Sequence, residues 1–307
     1  MGRFATALLV AALGLVAAVV VLVATQRREG TQRASGAASE RAPAGVAAAT
    51  RSKVVGYVPE PIVEASGLAA SWTNPGVLWT HNDSGGAAVL YALGAKARLR
   101  AALPLAGAAN RDWEDLATGP AVPGGPGFLY VADIGDNSGA WPSVPVLRVP
   151  EPTLARVVPG TILPAAQAAT VELAYPDGPR NAEALVVDPK TGDLYIITKD
   201  DSRAEVYRAP RPAFQGERVV LERRGRLPFG GVTGASACPN GRTVLVRRYF
   251  ALDAFTGPSV GRALRSAPEP RLVRGEPQGE AVAAEPGCEG YYTLSEGVRQ
   301  PLVRYLR

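Results

Sequence analysis

Histidine occurs once in 307 residues, cysteine twice, and aromatic side chains make up only 7% of the chain. The lone His81 excludes a zinc centre built from several histidines, and any Ser-His-Asp triad would have to use it. As a single histidine at a strand end it reads as a polar residue rather than a base. No G-x-x-x-x-G-K-[ST] or G-x-G-x-x-G phosphate loop is present. Lysine is confined to positions 53, 96, 190 and 199, so arginine supplies the formal charge of +5. The arginines are scattered along the chain, which speaks against nucleic acid as a partner.

What is present points to turns and strands. Glycine and proline number 34 and 27, and 47% of residues are hydrophobic, enough for a packed core. Phe4 to Thr25 form an uncharged apolar run long enough to cross a bilayer, longer than a cleaved signal's core and followed by a poor cleavage match. Residues 1–25 therefore read as a single-pass signal anchor in the cell membrane, with the following domain extracytoplasmic. Residues 26–52 mix Ala, Gly, Ser and charge without apolar periodicity and read as a flexible tether.

Residues 53–307 are organised by a repeat. Five segments align: "EASGLAAS" from Glu64, "DWEDLATG" from Asp112, "NAEALVVD" from Asn181, "GVTGASAC" from Gly231 and "QGEAVAAE" from Gln278. A Pro/Gly/Asn turn and a second strand-like run follow each, which is the pattern of a β-hairpin. A third strand is visible as "AVLYAL", "VPVLRVP", "AEVYRAP" and "PLVRYLR", with "VGRALR" the candidate in unit four. Fourth strands run up to prolines at "ARLRAALP", "ATVELAYP", "LERRGRLP" and "RLVRGEP".

The fifth unit lacks an outer strand, and "KVVGYVP" ahead of the first unit can supply it. The expected fold is thus all-β: a five-bladed β-propeller closed by its N-terminal strand, with no exposed sheet edge at the seam. The alternatives are a six-bladed ring, with unit two split, and a β-sandwich. Pro150 to Gln167 are read as an insertion between the outer strands of blade two.

In a propeller the first strand of each blade opens at one mouth of the axial channel. Two columns of that strand, two residues apart, hold Glu64, Asp112, Asn181, Gly231 and Gln278, then Ser66, Glu114, Glu183, Thr233 and Glu280. Ends of second strands add Asn82, Asp83, Asp133, Thr198, Lys199, Arg247, Arg248, Ser295 and Glu296. The mouth should be acidic with a basic flank, and converging carboxylates call for a cation. All-oxygen ligands suit Ca²⁺ or Mg²⁺. Water-filled channels also carry polar residues without any such duty. Cys238 and Cys288, near the first hairpin turns of units four and five, could form a disulfide between adjacent blades outside the cytoplasm.

At "SGLAASWTNPGVLWTHNDSG", "NRDWEDLATGP", "LYVADIGDN" and "NAEALVVDPKTGDLYIITK" the chain resembles a group of largely uncharacterised, membrane-anchored or secreted bacterial β-propeller proteins. It is distantly similar to SdiA-regulated-type, esterase-like phytase and SMP-30-type lactonase propellers. That resemblance implies a divalent cation, often Ca²⁺, on the axis. Two functions stay open. One is a noncatalytic module binding a small molecule, sugar or protein through the mouth, with Glu64, Asn82, Asp83, Asn181, Arg247, Arg248 and Glu296 as contacts. The other is a Ca²⁺-dependent hydrolase of a phosphoester, ester or lactone. There Glu114, Glu183 and Glu280 hold the metal, Asp112 or Asp133 activates water, and the two arginines steer an anionic substrate.

Overall fold

The computed structural model describes residues 51–120, 122 and 124–306. The expected anchor and residues 26–50 of the expected tether lie outside the described residues. Within them, no helix is long and apolar enough to cross a membrane.

Five antiparallel four-stranded units follow one another along the chain. Blade 1 comprises Ala65–Ala70, Leu78–Asn82, Val89–Leu93 and Leu99–Ala106. Blade 2 comprises Asp115–Pro120, Gly127–Ala132, Val144–Pro150 and Ala169–Ala174. Blade 3 is built from Ala182–Val187, Leu194–Thr198, Glu205–Ala209 and Glu222–Arg226, and blade 4 from Val232–Ala237, Thr243–Arg248, Ala251–Thr256 and Glu269–Arg271. Blade 5 takes Gly279–Ala284, Gly290–Ser295 and Pro301–Leu306 from the C-terminal end and Arg51–Tyr57 from the other end. The closing strand runs antiparallel from Arg51 opposite Leu306 to Tyr57 opposite Pro301, so the expected closure is realised. Its Gly56 lies against the backbone of Lys96 in blade 1, where a Cβ would come within 2.1 Å of the carbonyl oxygen. Five blades are formed, and the six-bladed alternative and the sandwich are set aside.

The core is not one mass but five apolar clusters, one at each blade seam. Period-two alternation explains this: each central strand sends its side chains to both faces, and each face meets the neighbouring blade. Central strands are accordingly apolar on both sides, as in "LYIIT", where all five residues are buried.

Two local expectations change, both in blade 4. The third strand of blade 4 is "ALDAFT", separated from the second by only Tyr249 and Phe250, while Val260–Ala263 within "VGRALR" form one helical turn. The outer strand of that blade is Glu269–Arg271, ahead of most of "RLVRGEP". The Pro150–Gln167 insertion reaches across to blade 1, where Thr161–Ile162 and Ala166–Gln167 pair in parallel with Leu99–Ala106. Cys238 and Cys288 pack in the same blade 4–blade 5 cluster.

Candidate functional site: the acidic mouth of the axial channel

β-Bulges aim the site residues. In blades 3, 4 and 5 the register of the first hairpin slips by one residue, and the extra residue is Glu183, Thr233 and Glu280 respectively. In blade 1 Ser66 and Gly67 together occupy the slip. A bulge bends the strand and re-aims the unpaired side chain, and here it delivers the inner column to the axis. Neighbouring blades are tied at this level. Ser66 Oγ donates to the Glu114 carbonyl at 2.5 Å, and Thr233 Oγ1 donates to the carbonyls of Gly279 and Glu280 at 3.0 and 3.1 Å.

Above the bulges lies a cavity of about 160 Å³. Asp83, Asp112, Glu114, Glu183, Glu280 and Glu296 line it, with Lys199 the single cation of its wall. Carboxylate oxygens of Asp83, Asp112 and Glu114 lie within 4.8 Å of one another, a set that could hold a metal ion. Glu114 is 6% exposed. Asp83 Oδ1 is buried without a hydrogen-bond partner. Gly135 makes room for the group: a Cβ there would stand 2.3 Å from Asp112 Oδ2 and 2.4 Å from Glu114 Oε1.

The electrostatics follow from crowding. Burial, then Glu183, Asp83 and Asp112, push the Glu114 carboxyl up to about 10. Burial, then Glu183, raises Glu280 to about 8, and burial, then Asp112, raises Asp83 to about 6. Burial raises Glu183 as well, to about 7, and Lys199, whose Nζ is ion-paired to its carboxylate, pulls it back. The same ammonium donates to Tyr249 Oη at 2.7 Å.

Several expected site residues serve elsewhere. Asp133 Oδ1 accepts from the Asp112 N–H at 2.9 Å, and its carbonyl takes Arg111 Nη2. Asp133 positions Asp112 and does not line the cavity. Asn82 Oδ1 braces the N–H groups of Val63 and Glu64 at 3.0 and 3.2 Å. Asn181 bridges Asp136 N–H and Asn137 at 2.9 and 3.0 Å. Glu64 is exposed at the rim and outside the cavity wall.

The two arginines need the largest correction. Arg247 is fully buried, held by Glu276 at 2.9 Å, because strand alternation turns it into the blade 4–blade 5 seam. Arg248 pairs with Asp253 at 2.6 Å and stacks on Phe229. Neither reaches the mouth. His81 is not a polar mouth residue either: it is buried edge-on to Trp113 at 5.5 Å, and burial lowers its pKa to about 4.

The chain does carry a G-x-S-x-G match, "GPSVG" at Gly257–Gly261, after a strand and before a helical turn. Ser259 is extended there (φ −154, ψ 163), not in the strained turn of a nucleophile elbow, and the sole histidine is buried in another seam. No acyl-transfer site results.

The ring and its mouth define a five-bladed β-propeller with an acidic axial cavity. No protein-family model matches the chain, and no curated protein does. Similar solved structures include the major allergen Mala s 1 of Malassezia sympodialis, with TM-score 0.53 at 11% identity over 81% of this chain and 95% of that one. The PQQ-bound aldose sugar dehydrogenase of Streptomyces coelicolor gives 0.49 at 12% identity, over 84% and 98% of the two chains. The Swd1 β-propeller domain of Myceliophteria thermophila gives 0.46 at 11%, over 84% and 100%. Such likeness is one of fold, and a propeller fold does not assign an activity.

Proposed function

We propose that the protein is a membrane-tethered, extracytoplasmic binding propeller whose axial mouth takes one hard divalent cation, Ca²⁺ by preference. Asp83, Asp112 and Glu114 are its ligands. The observation that carries this reading is Asp83 Oδ1, buried without a hydrogen-bond partner beside the carboxylates of Asp112 and Glu114. Burying a charge without a partner is costly, and a cation is the partner that all three oxygens would share. The spacing fits: Ca–O distances of about 2.4 Å let ligand oxygens lie up to roughly 4.8 Å apart.

The expected metal set shifts accordingly. Glu114 stays, Glu183 is taken by Lys199, and Glu280 lines the cavity outside the three-carboxylate group. With the cation in place, the remaining wall is still acidic, so the ligand the mouth suits is a neutral, hydroxyl-rich molecule such as a sugar. One of its oxygens would complete the cation's shell. The hydrolase reading loses support, because Arg247 and Arg248 are absent from the mouth and Asp133 is outside the cavity.

Calorimetric titration of the EGTA-stripped protein with Ca²⁺ should show one site, lost in Glu114→Gln. Absence of binding in the wild type, or undiminished binding in that variant, would overturn the reading. Chromogenic phosphate, ester and lactone substrates, with and without Ca²⁺, should give no turnover.

A further inference from the structure

Lys199 follows the second strand of blade 3 and brings an ammonium into a wall that otherwise carries six carboxylates. It is not a loose surface lysine. Its Nζ is paired to the buried Glu183, donates to Tyr249 Oη at 2.7 Å and sits 5.0 Å from the centre of that ring. Tyr249 stands in the two-residue link between the second and third strands of blade 4, so two blades fix the position of this charge.

Two cations then compete for one acidic cavity. One is covalently tethered and always present; the other arrives from solution. A fixed positive charge beside the Asp83–Asp112–Glu114 set repels an incoming divalent ion, and it engages Glu183, a carboxylate of the same cavity wall.

We infer that Lys199 is a built-in counter-cation that weakens divalent-ion binding at the mouth and keeps Glu183 out of the ligand set. The inference rests on the cation reading above. Its consequence is a site tuned to release its ion, responsive to changes in cation concentration rather than permanently loaded.

A charge cycle tests it by calcium calorimetry on the full-length protein at fixed pH and ionic strength. Lys199→Met should bind Ca²⁺ at least about tenfold more tightly than wild type, and Lys199→Arg should stay within about threefold of it. Glu183→Gln should bind more weakly, because the ammonium, no longer neutralised, turns its charge on Glu114. The double variant Lys199→Met/Glu183→Gln exchanges one neutral pair for another and should return close to wild type. If the wild type binds and Lys199→Met is equal or weaker, the inference is overturned. Should Lys199→Met fail to fold, wild-type affinity in Glu183→Gln overturns it instead. Binding in Lys199→Met with none in the wild type supports Lys199 as the blocking charge while removing calcium from the native function. Silence in both sinks the cation reading and this inference with it.

Discussion

The carboxylate of Asp115 in blade 2 accepts the backbone N–H of Ala235 in blade 4 at 3.0 Å, joining two blades that are not neighbours in the ring. The same Oδ2 takes the N–H of Leu185 in blade 3 at 2.9 Å, and Oδ1 takes that of Leu116 at 2.8 Å. One fully buried side chain thus gathers donors from three first strands in the throat below the acidic cavity.

Asp115→Ala leaves those three N–H groups without their acceptor, and a buried donor left unsatisfied costs about 1–3 kcal/mol. The expected loss is roughly 3 kcal/mol, since water entering the vacated throat satisfies part of the set. At this chain length that lowers Tm by about 6–12 °C in calorimetry. Asp115→Asn keeps an acceptor oxygen and should lose less. Equal Tm values for Asp115→Ala and wild type would show that the three bonds do not hold the ring.

Most of the ring was legible because each blade repeats one hairpin in sequence, and "KVVGYVP" had the length and alternation of the missing outer strand. Legibility failed where backbone geometry decides. A bulge leaves no trace in composition, so the columns bring Glu114, Glu183 and Glu280 to one mouth but do not show that Glu183 pairs with Lys199. Arg247 and Arg248 end a second strand just as Asn82 and Asp83 do, yet alternation and the buried Glu276 draw Arg247 into the seam. "VGRALR" has strand-like apolar residues, but the two-residue link after Arg248 starts the third strand earlier and leaves it free to coil. Pairing of Lys199 with Glu183 needs two strands of one blade in register, Ala182 opposite Thr198, and only the structure supplies that.

Removing one partner of a fully buried ion pair strands the other charge, at a cost of about 3–5 kcal/mol. Arg247→Met should therefore destabilise strongly, because Glu276, 4% exposed, keeps only its bond to Thr293. Calcium affinity at the mouth should be unchanged in protein that folds. Adding Glu276→Gln should recover much of the loss in denaturant titrations. A calcium-affinity defect in Arg247→Met with normal stability would return this arginine to the functional site.

Stability against pH offers a test that needs no ligand. Glu114, Glu280 and Asp115 are raised to about 10, 8 and 8, each chiefly by burial, above ordinary values of 4.5, 4.5 and 3.8. Between the two values the folded state holds protons that the unfolded chain has released, so stability falls as pH rises through the folded values. His81 acts on the other side: burial lowers it from 6.5 to about 4, so stability falls as pH drops below about 6.5. Three such carboxyls outweigh the one histidine above about pH 4.5, so without calcium Tm should peak near pH 4–5 and decline toward pH 9. Saturating Ca²⁺ binds the deprotonated carboxylates and should flatten the alkaline limb. Glu114→Gln removes one buried acid, so above pH 8 its Tm without calcium should exceed that of wild type, and added Ca²⁺ should no longer raise it. A wild-type Tm that climbs between pH 6 and 9 without calcium would show that these carboxyls are ionised at no cost, and the case for a cation at the mouth would lose its energetic basis.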